Sequence, residues 1–326
     1  QAMQMFNLPL AGMLSLIQLL CTLGFSILYS RILKRNPVSS TPRSAVDNMR
    51  KTRTASQKIL VSALVTFLLA FFLLPLVSLP VRSITRLEAD RGAHAQIHYG
   101  FTGDYYSELF INRRESLFYV PPLSAIGISM GYAALTVVLS LLIGFPVASA
   151  LARPGRVERL LDPVLMLPLG ASAVTLGLGF IITFNRPPLV LVTSPLLAPI
   201  AHTLIALPFV IRSLQPALAS IPDQLKQAAA ALGASPIRVW ATVDWPIVGR
   251  ATLSAGVFAF TISLGEFGAT SLVVRPEYPT MPIAIARFLS QPGGMNYGQA
   301  MAMATILMVV CGLGILLIER MRLPGA

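Results

Sequence analysis

Residues 58–80 read KILVSALVTFLLAFFLLPLVSLP, and no charged residue follows Lys58 before Pro80 in this stretch. An α-helix needs about 20 predominantly apolar residues to cross the hydrocarbon core of a membrane. Six more segments have a comparable length and apolar content, at about 10–30, 123–151, 160–184, 195–215, 251–274 and 299–319. The sequence therefore predicts an all-α, polytopic transmembrane helix bundle with about seven spans.

The composition of the whole chain agrees with this fold class. Residues A, V, I, L, M, F, W, Y and C make up 55% of the 326 residues, and charged residues make up 12%. A soluble domain has about 25% charged residues and could not bury this much apolar surface. The two cysteines, Cys21 and Cys311, lie in separate apolar stretches, so they predict neither a disulfide framework nor a metal site.

Basic residues are concentrated in alternate loops. The loop 31–57 has seven basic residues against one acidic residue, and 152–159 has three arginines. Between them, 81–122 balances five arginines with five acidic residues. Because cytoplasmic loops are enriched in Lys and Arg, we expect the N-terminus outside and the C-terminus inside. The same bias accounts for the net charge of +12, so we expect no nucleic-acid partner.

The fifth connection, which this orientation places in the cytoplasm, has an unusual sequence. Its residues 220–246 read SIPDQLKQAAAALGASPIRVWATVDWP. Ser220 and Asp223 match a capping box, Gly233 matches a left-handed helix end, and the Ser-Pro pair at 235–236 matches a new helix start. The pattern predicts a helix–glycine turn–helix. It suits either docking in a groove on another protein or an amphipathic helix pair that lies on the membrane without a partner.

This loop resembles the cytoplasmic signature of ABC importer permeases, which is E-A-A, three residues, G, nine residues, and I-x-L-P. Every spacing is kept here, with Gln in place of Glu, Val in place of Ile and Trp in place of Leu. The matching residues are Gln227, Ala228, Ala229, Gly233, Val243, Trp245 and Pro246.

Four other stretches extend the resemblance: LPLGASAVTLGLGF (167–180), LPFVIRSLQPAL (207–218), SLGEFGAT (263–270) and RFLSQPGGMNYGQA (287–300). They look like the permease of the thiamine/thiamine pyrophosphate transporter. SLGEFGAT is shared with permeases for ferric iron, sulfate and molybdate, whereas RFLSQPGGMNYGQA is narrower and favours the thiamine branch.

The resemblance implies a domain organisation. Residues 1–30 would be the last helix of a first permease half, and 31–57 a cytoplasmic linker. Residues 58–326 would be a six-helix domain of the type I ABC importer permease class, with 220–246 as its ATPase-coupling loop. The chain would then be the C-terminal portion of a longer permease in the bacterial inner membrane.

The resemblance also implies partners and cargo. A dimer of ATPase subunits would bind ATP and Mg, and a periplasmic solute-binding protein would deliver the substrate, with membrane lipids around the bundle. The expected small-molecule substrate is thiamine or its pyrophosphate, and the alternative is ferric iron or another small solute. The chain itself is expected to be no enzyme and to hold no cofactor or metal, since none of its four lysines follows a glycine as in a P-loop.

Two rival functions have some support in the sequence. Gly127, Ser129 and Gly131 match G-x-S-x-G, and His202 lies in another span, which is the outline of an intramembrane serine protease. We favour a GxxxG packing face with Ser129 as a hydrogen-bonding group, because a nucleophile elbow needs a strand-to-helix turn. A secondary transporter would have broken helices, and prolines punctuate 195–215, but such a carrier has no need for the cytoplasmic loop.

Glu266 is the one carboxylate well inside a predicted span, with Ser263 close by. A carboxylate within the membrane is a functional candidate, and here it could line the path of a cation such as thiamine. Gly265 and Gly268 equally permit close helix packing, with the carboxylate bonded to a neighbouring helix. We favour this structural role and keep the pathway role as the alternative.

Overall fold

The computed structural model describes residues 13–25 except 15, 19 and 23, and then residues 54–89, 97–111, 119, 121–152 and 155–320. The described residues of 13–25 are helical. The predicted helix 1–30 therefore lies only partly within the described residues. Most of the predicted linker 31–57 lies outside them.

Five helices among the described residues are long and apolar enough to cross a membrane, which confirms the predicted all-α transmembrane bundle. Up to the loop 220–246, the elements are α1 (Ala55–Ile84), β1 (Thr85–Ala89), β2 (Ile97–Phe101), α2 (Asp104–Glu108), α3 (Pro122–Leu151), α4 (Arg156–Leu165), α5 (Leu167–Gly170), α6 (Ala173–Phe184) and α7 (Leu197–Ala219). Then follow α8 (Asp223–Ala231), α9 (Pro236–Val239), a π-helical turn (Trp240–Asp244), α10 (Trp245–Gly265), α11 (Thr270–Val273), α12 (Met281–Leu289) and α13 (Gly294–Arg320).

Helices α3, α7 and α10 pack against one another and form the centre of the bundle. The buried side of α3 carries small residues at helical spacing, namely Ala125, Ser129, Ala133, Thr136, Ser140, Gly144 and Ala148. A Cβ atom at Gly144 would lie 2.6 Å from Cγ1 of Val210 on α7, so the two helices approach too closely there for any larger residue. Small residues of this kind let transmembrane helices pack tightly.

The predicted span 160–184 is wrong as a single helix. Ala171 and Ser172 have extended conformations, with ψ of 141° and 136°, and they separate α5 from α6. Helix α6 has 12 residues, or about 18 Å at 1.5 Å per residue, which is shorter than a membrane core of about 30 Å. The prediction rested on apolar content, which does not register a change of backbone conformation within an apolar run.

The prolines of the predicted span 195–215 do not break it. Helix α7 runs without interruption from Leu197 to Ala219, with Pro208 and Pro216 inside it. Pro199 lies in the first turn, where a backbone N–H has no partner within the helix. A proline later in a membrane helix removes one backbone bond, and neighbouring groups compensate for that loss. The broken span that a secondary transporter would favour is therefore not found at this position.

A small outer layer precedes α3. Strands β1 and β2 form an antiparallel hairpin in which Thr85 pairs with Phe101. The sequence predicts that the aromatics of this region anchor the chain or dock a partner, and the structure shows internal roles for three of them, including Tyr119, whose hydroxyl donates to Leu109 O at 2.7 Å. Tyr105 is 5% exposed and lies against α13, and the Tyr106 hydroxyl is 2.7 Å from the Ser83 hydroxyl. The side chain of Phe101, at 88% exposed, is left open to the surroundings by the described residues.

Gly298 of α13 provides the space for Tyr105. A Cβ atom at position 298 would lie 2.2 Å from a ring carbon of Tyr105, so we expect Gly298→Ala to displace the ring and lower stability by about 1–3 kcal/mol. Gly312→Ala on the same helix is the control, because among the described residues no atom lies within 4 Å of its new Cβ. Thermal unfolding of the two purified variants tests this. Equal midpoints would contradict it.

Candidate functional site

The loop 220–246 contains the predicted glycine turn. Gly233 has φ of +78°, which is the left-handed region. Its N–H donates to Ala230 O at 2.9 Å, and the next N–H, of Ala234, donates to Ala229 O at 3.1 Å. These two bonds form a Schellman motif, which satisfies the last carbonyl groups of α8. The second helix begins as predicted, with the Ser235 hydroxyl accepting a bond from Arg238 N at 3.4 Å.

The predicted capping box at the start of the loop is wrong. Helix α8 begins at Asp223 with Pro222 as its N-cap residue, and no side chain caps it. The Ser220 hydroxyl instead donates to Ala217 O at 2.7 Å, because Ser220 lies at the end of α7 with that carbonyl within reach. Asp223 still lies in the first turn of α8, where a negative charge is favourable.

The sequence predicts a second loop helix that is separate from the span starting at 251, but in the structure the two are continuous. Helix α9, the π-helical turn and α10 follow one another without a gap, so residues 236–265 form one helical rod (the 236–265 helix). The rings of Trp240 and Trp245 lie 5.3 Å apart across the π-helical turn. Lys226 Nζ of α8 lies 3.3 Å from Asp244 Oδ1. The glycine turn is thus joined directly to a helix long enough to span the membrane.

Apolar side chains cover the tip of the loop. Leu232 is 89% exposed and Ile237 is 81% exposed, and they lie on either side of Gly233 in the sequence. Helical spacing predicts Leu232 on one face with Ile221, Leu225 and Ala229, but Ile221 is buried and Leu232 is exposed. An exposed apolar pair on a rigid turn is a surface suited to contact with another protein. The sequence feature that indicates this surface is the presence of apolar residues on both sides of a glycine that ends a helix.

The signature residues divide between this surface and the bundle. Val243 packs against the buried core of α3, α7 and α10. Exposed signature residues are Gln227, Ala228, Gly233, Trp245 and Pro246, and Ala229 is half-buried. The loop therefore presents most of its signature outward, with Val243 holding it to the membrane helices.

The second predicted group lies deep in the bundle. Helix α10 ends at Gly265, so the predicted span 251–274 is wrong beyond that residue. Glu266 has an extended conformation, and its two carboxylate oxygens accept the N–H groups of Ala269 and Thr270, each at 2.9 Å. The carboxylate thus caps the start of α11, which competes with continuation of α10. The apolar content of a stretch of residues does not reveal such a break in the helix.

Glu266 belongs to a cluster of five buried polar side chains from four elements, which we call the His202 cluster. The Thr270 hydroxyl donates to the Glu266 carboxylate, and His202 Nε2 lies 2.7 Å from the same hydroxyl oxygen. His202 Nδ1 lies 2.8 Å from Ser263 Oγ, which in turn lies 3.3 Å from Thr136 Oγ1. The members are Thr136, His202, Ser263, Glu266 and Thr270, all at most 8% exposed.

The protease outline does not assemble. Ser129 lies within the continuous helix α3 rather than on a strand-to-helix turn, and its hydroxyl accepts a bond from Met281 N at 2.9 Å. His202 bonds Ser263 and Thr270 instead. The predicted GxxxG face is also wrong for the described residues, since none of their atoms comes within 4 Å of a Cβ built at Gly127 or Gly131. The packed face of α3 runs through Ser129, about 200° away around the helix.

Ser129→Ala tests the role of this hydroxyl. The change leaves the buried Met281 N–H without its acceptor, so we expect a loss of about 1–3 kcal/mol of stability with transport retained. Ser140→Ala is the matched control, because Ser140 is buried on the same side of α3 and its hydroxyl has no hydrogen-bond partner among the described residues. Thermal unfolding should separate the two variants. Equal stability of both would contradict the assigned role.

Among the described residues, no group of three or more His, Cys, Asp or Glu side chains is arranged to hold a metal ion. The arrangement instead offers a contact surface on one side of the membrane and a buried hydrogen-bonded cluster within the bundle. The 236–265 helix connects this contact surface to the buried cluster.

Comparison with known proteins identifies the class. The chain is 32% identical over 208 residues to the molybdenum transport system permease protein ModB of Mycobacterium tuberculosis, which covers 59% of this chain and 77% of that protein. It is 29% identical over 168 residues to the putative 2-aminoethylphosphonate transport system permease protein PhnV of Salmonella typhimurium, covering 51% of this chain and 63% of that protein. No family model matches the chain.

The fold is also that of a known transporter structure. A bacterial ABC transporter involved in the import of the acidic polysaccharide alginate matches with a TM-score of 0.61 at 15% identity, covering 84% of this chain and 100% of that one. The chain belongs to the ABC importer inner-membrane permease family. It is a multi-pass permease subunit and not an enzyme, so a separate subunit hydrolyses ATP. Membership implies an ATPase and a substrate-binding protein as partners.

Proposed function

We propose that residues 220–246 are the ATPase-coupling loop of this permease and that they dock in a groove of the ATPase subunit. The observation that carries the proposal is the apolar tip of the loop, where Leu232 and Ile237 are exposed beside the left-handed Gly233. Such a surface without a partner would expose apolar area to water. Docking removes that area from water and brings the exposed signature residues into contact with the ATPase. A helix pair that lies on the membrane without a partner would give those residues no such contact.

The 236–265 helix explains how docking would drive transport. Its first turns belong to the loop and its last turns belong to the bundle, so a displacement of the loop moves a spanning helix directly. The ion pair of Lys226 with Asp244 and the paired rings of Trp240 and Trp245 stiffen the junction. In the proposed cycle, closure of the ATPase dimer around ATP and Mg pushes on the loop. The bundle then switches its opening between the two sides of the inner membrane.

The proposed domain organisation follows the same family. Residues 1–30 end a first permease half, 31–57 link it to the second half, and 58–326 form the second half with the coupling loop. A periplasmic solute-binding protein delivers the substrate to the outer face. Residues 31–57 and the C-terminus then face the cytoplasm.

The orientation can be tested directly in cells. In a chain without Cys21 and Cys311, we expect a cysteine at the exposed Ser107 to react with a membrane-impermeant reagent from the periplasmic side. A cysteine at Ser44 in the basic linker should not react in intact cells. Labelling at Ser44 from outside would reverse the orientation and place the loop 220–246 on the wrong side for an ATPase.

The proposed substrate is thiamine or thiamine pyrophosphate. Its support is the segment 287–300, RFLSQPGGMNYGQA, which joins α12 to α13 through Gly293 at φ of +121°. Ferric iron or another small solute is one alternative cargo. An oxyanion is the other alternative, because the named relatives are permeases for molybdenum and 2-aminoethylphosphonate. The carboxylate of Glu266 already accepts three hydrogen bonds, which weakens its candidacy as a contact for a cation.

Uptake by membrane vesicles distinguishes these proposals. The full-length permease with its ATPase and binding protein is supplied with labelled thiamine, thiamine pyrophosphate, ferric iron, molybdate or 2-aminoethylphosphonate. We expect ATP-dependent accumulation of thiamine or its pyrophosphate. Accumulation of an oxyanion or ferric iron alone would replace the substrate, and uptake without the ATPase would instead support an ion-coupled carrier.

A further inference from the structure

We propose that the His202 cluster positions the outer end of α10 for transport, by making it move as one body with α3 and α7. The inference rests on the proposed function, because it assumes that the coupling loop drives the 236–265 helix. In this proposal, the Thr270 hydroxyl carries the connection, since it bonds both groups, whereas His202 Nε2 and Glu266 Oε2 themselves lie 3.6 Å apart, beyond hydrogen-bond distance.

The cluster lies where the chain leaves the long helix. Helix α10 ends at Gly265, and the Glu266 carboxylate holds the next turn through Ala269 N and Thr270 N. A Cβ atom at Gly177 of α6 would lie 2.9 Å from the Cα of Ala269, so α6 is packed directly against this turn. The turn 266–270 is therefore held by its own hydrogen bonds and packed against α6.

Hydrogen bonds carry the connection from this turn to the centre of the bundle. The Glu266 carboxylate accepts three hydrogen bonds, one of them from the Thr270 hydroxyl, which has a single proton to donate. The Thr270 oxygen is then left to accept from His202 Nε2 of α7. Ser263 of α10 bonds both His202 and Thr136 of α3. Three helices and the turn 266–270 thus share one network, which is shielded from water.

The exposed end of α10 gives this network a function in transport. Phe258, Thr261, Gly265 and Phe267 are exposed and lie along one side of α10 and its extension. Phe267, at 46% exposed, directly follows Glu266 at 8%. A fixed Glu266 therefore fixes the place of Phe267 at the outer end of this exposed side. When the loop moves the 236–265 helix, an intact cluster carries α3, α7 and Phe267 with it.

The test compares Thr270→Val with Thr270→Ser in the complete transporter. Valine has nearly the shape of threonine but cannot join His202 to Glu266, whereas serine keeps the hydroxyl. The measured quantity is the amount of solute accumulated per ATP hydrolysed in vesicles, with the solute that the wild-type transporter accumulates among those named above. We expect Thr270→Val to lower this ratio about tenfold while ATP hydrolysis continues, since hydrogen bonds to charged groups shift equilibria by such a factor. Thr270→Ser should stay within about twofold, because its hydroxyl retains both bonds.

A second measurement is independent of the solute. A cysteine at Phe267, in a chain without Cys21 and Cys311, should react with an impermeant thiol reagent at different rates in the nucleotide-free and the ATP-plus-vanadate states. We expect this difference to disappear with Thr270→Val and to persist with Thr270→Ser.

Two results would overturn the inference. One is that the Thr270→Val transporter accumulates as much solute per ATP hydrolysed as the wild type. This holds even if less of the variant folds, because a lower amount of folded transporter with an unchanged ratio is what a purely structural role predicts. The other is an equal loss with Thr270→Ser. A wild-type transporter without ATP-driven uptake would instead contradict the proposed function itself, so the two failures are distinguishable.

Discussion

The ATPase subunit should no longer co-purify with the Gly233→Val permease. Gly233 has φ of +78°, where an L-residue is strained by about 1–2 kcal/mol and a β-branched residue by more. Valine therefore favours another backbone conformation and misdirects the 236–265 helix relative to α8. Among the described residues, no atom lies within 4 Å of a Cβ at position 233, so the effect comes from the backbone and not from a clash.

Gly233→Asn is the matched control for this prediction. Asparagine tolerates the left-handed conformation, so this variant should keep the turn and retain the ATPase. Both variants should reach the membrane in wild-type amounts, because the change lies outside the apolar helices. Co-purification of the ATPase at the wild-type level by Gly233→Val would mean that 220–246 is not the coupling element.

Leu232→Glu should also separate the permease from its ATPase, through a different cause. Leu232 is 89% exposed, so the free permease should lose no more than about 0.5 kcal/mol of stability. In a protein groove, the same carboxylate would be taken out of water without a partner. A cost of about 3 kcal/mol corresponds to a factor of about 100 in affinity. Titration of the purified ATPase against the purified permease measures this factor directly.

Gln227→Glu adds the same charge five residues away and is the control. It restores the residue that the family signature has at this position, on the exposed side of α8, so we expect binding and coupling to survive. An equal loss of affinity with both variants would show a general effect of negative charge on the loop. An unchanged affinity with Leu232→Glu would remove the exposed tip from the interface.

Local sequence accounted for the shape of the loop. Gly233 ends one helix and the Ser-Pro pair at 235–236 starts the next, as predicted, because each depends only on neighbouring residues. The prediction failed at Ser220, where the end of α7 offered a nearer acceptor than the start of α8. It also failed to join the second helix to α10, since Arg238, Asp244, Pro246 and Arg250 interrupt the apolar residues of 236–250.

Apolar content found the spans but not their interruptions. The breaks at 171–172 and at Glu266 lie within apolar runs, and each requires a change of backbone conformation that hydropathy does not encode. Conversely, the prolines of α7 suggested a break that the packed bundle does not permit. The role of Ser129 was anticipated as helix-to-helix bonding, but its partner at Met281 was not.

The sequence by itself determined that this protein is a membrane bundle with a helix–glycine turn–helix in one of its connecting loops. Those properties depend on apolar content and on residues a few positions apart. Only the tertiary structure decided that Glu266 ends α10 and that His202 joins it to the bundle. The His202 ring bonds partners 61 and 68 residues away, and no local pattern encodes such a pairing. Burial from water then makes these bonds indispensable, because a buried polar group without a partner is costly.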